Sequence, residues 1–448
     1  MSTTATAPPR GGVLDDLSEL ERTTMRHVIG RFLPLLMIAY VSSFLDRVNA
    51  GFAALTANRD LGLSATAYGW GAGLFFVGYF LFEFPSNIIL ERVGARLWLA
   101  RIMLTLGLLA AAMALVTGPL SFYTLRFLLG IAEAGFFPGV ILFLTYWLPQ
   151  RYRARCIGIF MLGVPVSSLV GSPISGLLLG LDGMLGFKGW QWLYMLEALP
   201  SIVLAGLCWW LLTDQPAKAD WLAPAQREWL IATLAAERRQ ARQVHAREGY
   251  LRSLINRRVL YYAAIYFNVT AASYGLSLWL PQIVKSFGVS NVQTGLIAAI
   301  PFAFGSVAML WWGRHSDRSG ERLWHAAACA FTAAIGLGAC MLTPSPTLQM
   351  VFISIAAVGI FGIKGPFLTL LANAFRGPGA AGGIAMATAI GNLSGFLPPF
   401  AMGWIRDATG SFSLGLLLLA VLAAMGGIHI LFSAGFDDRQ EALHHEPA

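Results

Sequence analysis

Twelve long runs of mostly apolar residues dominate this chain, and no soluble fold can absorb them. They lie at 32–55, 68–90, 98–117, 121–145, 155–178, 191–213, 259–281, 293–312, 324–343, 348–373, 381–403 and 412–433. At about 1.5 Å per residue, each can cross a hydrocarbon core of about 30 Å as a helix. In lipid the backbone must satisfy its own hydrogen bonds, which leaves helices or closed barrels. The runs are continuous rather than alternating, so the reading is helices and not a barrel. Only 12% of the 448 residues are charged, about half the share of roughly 25% in soluble proteins. The expected fold class is an all-α membrane protein with twelve transmembrane helices.

The net charge of +8 would suit a nucleic-acid binder, but its distribution does not. With the amino terminus inside, about 23 of the 31 Lys and Arg fall in cytoplasmic segments and about 4 in outer loops. That asymmetry is a topology signal and places both termini in the cytoplasm. Asp15, Asp16, Glu19 and Glu21 crowd the start, with no apolar core, so the first span is expected to act as its own insertion signal. Cys156, Cys208, Cys329 and Cys340 lack metal spacing and read as packing residues. The CxxC and HExxH spacings are absent, so neither an enzyme nor a cofactor is expected. The boundaries are an amino-terminal tail at 1–30, a six-helix half at 31–213, a basic linker at 214–258, a second half at 259–433 and a tail at 434–448.

The halves resemble each other. "ERVGARLW" at 91–98 aligns with "DRSGERLW" at 317–324, an offset of about 226 that also places Leu63 and Ser64 on Val289 and Ser290, and Gly69 on Gly295. A duplicated six-span unit is the architecture of carriers that rock two halves about a central site. A channel more often gains symmetry by assembling subunits.

Charges inside the spans are the functional signal, because each costs roughly 2.5 to 3.5 kcal/mol at mid-membrane. Those deep in the spans are Asp46, Arg47, Glu83, Arg126, Glu133, Glu197 and Lys364. Arg126 and Glu133 are seven apart and share a helix face. Counted from the outer ends, they and the Asp46–Arg47 pair occupy one slab, where two Arg and two acids can neutralise each other. Arg presents a planar fork suited to a carboxylate, and an acid beside it can take a proton and release it. No histidine lies at mid-depth: His27, His245, His315, His325, His444 and His445 belong to tails, loops or span edges, and His429 to the end of the last span. Proton carriage therefore falls to Asp46 and Glu133. No cluster of acids marks a sodium site. Lys364, among Gly362, Gly365 and Pro366, is a third cation and points to a second anionic group on the substrate. Lys364 and Thr369 are about 140° apart on an ideal helix, so both reach a cavity only across a kink. Glu83, in the inner half of the second span near Arg92, is expected to form an inner-gate ion pair, and Glu197 to be structural.

"ERVGARLWLAR", "GRHSDRSGERLW" and "RFLLGIAEAGFFPG" resemble the loop and fourth-helix signatures of the major facilitator superfamily. "FLDRVNAGFA", "GYFLFEFPSNIILERVGAR", "YGLSLWLPQIVKSFG" and "GNLSGFLPP" resemble its anion:cation symporter branch, across nearly all of residues 30–433. The resemblance implies two pseudo-symmetric six-helix halves and uptake of an organic carboxylate with protons. The expected cargo is a dicarboxylate such as tartrate or phthalate, or a sugar acid. It implies substrate contacts at Arg47, Arg126, Tyr79 and Asn392, to which Lys364 and Thr369 are added, and proton coupling at Asp46 and Glu133. Glu83, Arg92, Asp317 and Arg318 take gating roles, while Tyr274, Asn268 and Asn373 stand behind the main set. The expected setting is a monomer in a bacterial inner membrane, whose partners are a small organic anion, protons and lipid, without nucleic acid. The rival on the same fold is an exporter of drugs or organic anions.

Overall fold

A helix satisfies its backbone internally, and the computed structural model is helical along almost all of its length. It describes residues 12–244, 256–375 and 380–445, with side chains for 19–239, 256–375 and 382–436. Among the described residues, eleven segments are long and apolar enough to cross a membrane: α1 (Glu19–Asp60), α2 (Ala65–Val93), α3 (Ala95–Leu115), α4 (Pro119–Trp147), α5 (Gln150–Leu181), α6 (Gly189–Leu211), then α8 (Asn291–Ser319), α9 (Leu323–Leu342), α10 (Pro346–Ala374), α11 (Gly382–Thr409) and α12 (Ser413–Phe436). The seventh expected span is α7 (Arg257–Lys285), 29 residues of unbroken helix. It falls short on apolarity because Asn268, Thr270, Ser273 and Ser277 are all buried on it. A helix enclosed by other helices meets little lipid and tolerates such residues where they find partners.

The two halves pack alike. In the first, α3 lies on α6, α2 on α4, and α1 on α5 and α6. In the second, α9 lies on α12, α8 on α10, and α7 on α11 and α12. Adding six to each label of the first set gives the second. The joints between halves obey the same exchange: α5 meets α8, α2 meets α11, and α1 meets α7.

These joints close at the face away from the chain termini. A Cβ on Gly403 of α11 would lie 2.2 Å from the Ala65 carbonyl oxygen, and one on Gly51 of α1 would lie 2.8 Å from that of Leu278. Only glycine lets the backbones come so near. The Asp407 carboxylate completes the seam by accepting from the α2 amino terminus: Ala65 N at 3.1 Å, Thr66 N at 2.7 Å and Thr66 Oγ1 at 2.5 Å.

The expected boundary at residue 30 falls inside a helix. Helix runs without interruption from Gly12 into α1, and Met25 and Val28 are buried. The linker forms a helix at Pro224–Val244 and docks on the first half. Trp221 stacks on Trp147 and meets Phe32 edge-on, and Gln150 N donates to Glu237. Residues 245–255 lie outside the described residues.

Candidate functional site

Helix breaks position most of the charged residues. α1 is interrupted at Asn49, just past Asp46 and Arg47. α4 breaks at Ala134 and Gly135, directly after Glu133. Gly135 has φ of +86°, and a Cβ there would meet Ser86 Oγ at 2.2 Å, so glycine is required on both counts. α10 breaks between Gly362 and Lys364, and α11 tightens into a 3-10 turn at Asn392–Gly395. Discontinuous helices of this kind expose backbone and aim side chains at a central site. The fourth helix of each half carries its charge at its break, an acid in the first half and a cation in the second.

Arg47 is the hub. Its guanidinium forms an ion pair with Glu133, which also accepts from Ser43 Oγ at 2.8 Å. Arg47 Nη1 donates to Tyr274 Oη at 3.4 Å, and Tyr274 Oη donates to Asn392 Oδ1 at 3.3 Å. This chain of contacts runs from α4 through α1 into α7 and α11, so it ties the halves together at mid-depth. The Tyr79 ring lies 5.2 Å from the same guanidinium. Lys364 is close enough for its charge to act on Arg47. It has neither an ion pair nor a hydrogen bond among the described residues, and it is partly exposed, as is Asn392.

The expected partnership of Glu133 with Arg126 is not the one formed. Arg126 is fully buried, and its Nη2 donates at 3.3 Å to the carbonyl oxygens of Arg47 and Ala72. Its Nε and Nη1 have no partner. The Phe75 ring lies 5.2 Å from each of the two guanidiniums. Glu133 is two helical turns from Arg126 along α4, about 10 Å, whereas Arg47 lies directly across from it. Asp46 likewise turns away from Arg47 and accepts from Ser201 Oγ at 2.6 Å on α6.

Other expected residues do not join the hub. The α10 break lies before both Lys364 and Thr369, so it leaves their angular separation unchanged, and the Thr369 hydroxyl donates to Gly365 O at 3.1 Å. Glu83 and Arg92 are nine residues apart on one helix, which places them on opposite faces. Glu83 Oε2 is buried without a partner and Arg92 is exposed. Asp317 pairs with Arg322 at 2.7 Å, and Arg318 is exposed. Asn268 turns to His429 at 3.4 Å, and Asn373 is exposed at the end of α10. The reading of the sequence missed Ser43 and Ser201 as partners of Glu133 and Asp46. They lie 90 and 155 residues from those acids, so no spacing along the chain marks them. It missed Asp407 altogether, because the expected span ended at 403.

The Major Facilitator Superfamily profile matches residues 36–399. The chain is 47% identical over 411 residues to a protein of Agrobacterium vitis named "Putative tartrate transporter", covering 92% of this chain and 94% of that one. It is 41% identical to the "Quinolone resistance transporter" of Acinetobacter baumannii, covering 91% and 94%. The crystal structure of a D-xylose-proton symporter superposes with a TM-score of 0.72 at 12% identity, covering 90% of this chain and 97% of that one.

Proposed function

The chain belongs to the major facilitator superfamily, and from that premise we propose that it imports an organic dicarboxylate together with protons, with tartrate as the first choice. Its twin halves would alternate access to the hub around Arg47. Both termini lie in the cytoplasm of a bacterial cell, the closed face is then the outer one, and a monomer suffices. The observation that carries the reading is a pair of cations within electrostatic reach of each other, Arg47 held by Glu133 and Lys364 without an ion pair or hydrogen bond among the described residues. A diacid can exchange one carboxylate for Glu133 on Arg47 and place the other on Lys364. Tyr79, Tyr274 and Asn392 are at hand for its hydroxyls, and the relative named for tartrate is in accord. When a substrate carboxylate takes Arg47, Glu133 loses its counter-charge and binds a proton. Asp46 supplies the second proton site, so a dianion travels with two protons and no net charge. Arg126, sealed beneath Phe75, would meet substrate when the outer face opens.

The test is a thermal-stability screen of the purified protein against tartrates, phthalates, aliphatic diacids and sugar acids, followed by uptake in proteoliposomes. A ligand at 100 times its Kd stabilises by about 2.7 kcal/mol, which a melting curve resolves. Stabilisation by tartrate and uptake driven by a pH gradient are expected. The 41% relative named for quinolone resistance supplies the rival. Stabilisation by a quinolone, with none by any tartrate, phthalate, aliphatic diacid or sugar acid, would replace the importer with an exporter.

A further inference from the structure

A second pair of acids lies inside the first half, away from Arg47. Ser201 Oγ, which donates to Asp46 Oδ2 at 2.6 Å, also lies 2.8 Å from Ser42 Oγ. One turn before Ser201 on α6 is Glu197, whose Oε1 accepts from Ser175 of α5 at 2.5 Å. Asp46 and Glu197 are each 2% exposed, and Glu197 acts electrostatically on Asp46. Helices α1, α5 and α6 therefore wall a pocket that holds two carboxyls and neutral donors only. Asn49, 1% exposed and three residues beyond Asp46, lies against Glu197, yet neither of its amide atoms makes a well-formed hydrogen bond. Asp46 Oδ1 and Glu197 Oε2 also lack partners.

The charged groups around the pocket do not neutralise it. Glu133 of α4 acts on Asp46 but is itself held by Arg47. Arg126 of α4 donates to backbone carbonyls, and the titratable groups that act on it are Tyr194 of α6, Tyr68 of α2, Glu133 of α4 and Arg47 of α1. Two adjacent negative charges without a cation are not sustained in a sealed pocket. A proton held by the pair removes one of the two charges.

We propose that Asp46 and Glu197 share one proton and that this shared proton is the one transported at the Asp46 site. The proposal rests on the proton-coupled reading above and adds Glu197 to it as a coupling residue. The proton enters the pair from the outer compartment, is held while the pocket is sealed, and leaves to the inner one when helix movement admits water. Glu197 adds no proton to the count. It strengthens retention, because its charge makes the bare pair costly.

Infrared pH titration of the purified protein tests the pair without any substrate. The wild type should show a protonated carboxyl band that titrates, and Glu197→Gln should lose retention at a lower pH than wild type. In proteoliposomes, L-tartrate uptake driven by a pH gradient should keep its proton-to-tartrate ratio in Glu197→Gln. Its half-maximal pH should move down by about one unit. Ser175→Ala, which removes a donor to the charged form, should move it up. Glu197→Asp should stay near wild type and serves as the control should the glutamine variant fold poorly. A merely structural Glu197 would not give opposite shifts. Coincident profiles in wild type, Glu197→Gln and Ser175→Ala would overturn the pair while leaving proton symport in place. Absence of pH-driven uptake in wild type would instead overturn the symport reading and the transported role of the proton with it. A sodium gradient that drives wild-type uptake and fails with Glu197→Gln would make the pocket a cation site and refute proton sharing.

Discussion

Replacing Asp407 by alanine should open the closed face. Its carboxylate accepts three hydrogen bonds from the start of α2 across the seam between halves, from Ala65 N, Thr66 N and Thr66 Oγ1. Hydrogen bonds to a charged group contribute about 1.5 to 3 kcal/mol each when shielded. An exposed carboxylate at a helix amino terminus contributes about 0.3 to 1 kcal/mol. Asp407 is exposed, so solvent screening pulls the sum toward the lower figures. The latch is then worth about 2 kcal/mol in total, and at about 1.4 kcal/mol per tenfold its loss shifts the closed-to-open ratio by roughly 30-fold. The bonds exist only while this face is closed, so the whole effect favours opening. Spin labels at Arg59, in the last turn of α1, and at Ser286, in the α7–α8 loop, report the separation of the halves by pulsed electron resonance. Both positions are exposed, and the four native cysteines are buried and free. Wild type should give mainly a short distance, Asp407→Ala a large long-distance population, and Asp407→Asn an intermediate one. A closed population within twofold of wild type in Asp407→Ala would refute the latch.

Three further outcomes follow from the hub and the seam. Arg47→Lys should cut transport strongly, because an ammonium cannot reproduce the fork that holds Glu133 and Tyr274 or a substrate carboxylate; near-normal affinity by ligand-induced thermal shift would count against the clamp. Lys364→Ala should weaken a dicarboxylate by about 1.5 to 3 kcal/mol and its monocarboxylate analogue far less, and equal losses in a competition assay would remove Lys364 from the second carboxylate. Gly403→Ala should favour the open face as Asp407→Ala does, since its Cβ would collide with the Ala65 carbonyl, and an unchanged label distance would show that the seam yields.

Local properties carried most of what was legible early. Apolar length marks a membrane helix because backbone hydrogen bonds inside a helix require no distant partner. The repeat at an offset of about 226 announced the matched packing of the halves, and the charges in α1, α4 and α10 were marked by their cost in lipid. Even the loosening around Lys364 was visible, in Gly362 and Pro366. α7 was located correctly although its polar face makes it the least apolar of the twelve, because the run between its flanking arginines and Pro281 is still long.

What the sequence could not decide is which of those charges meet. Glu133 is 86 residues from Arg47, and Asp407 is 341 from Thr66. Such pairings depend on the rotation and crossing of separate helices. A shared face linked Glu133 to Arg126, but two turns of one helix separate them, and the packing of α1 on α4 put Arg47 nearer. The same packing turned Asp46 toward Ser201 and Glu197. Insertion cost is a property of one residue and its depth, so the sequence determined that these charges must have a purpose. Partnership is a property of two helices held in register by all the others, and only the tertiary structure decided it.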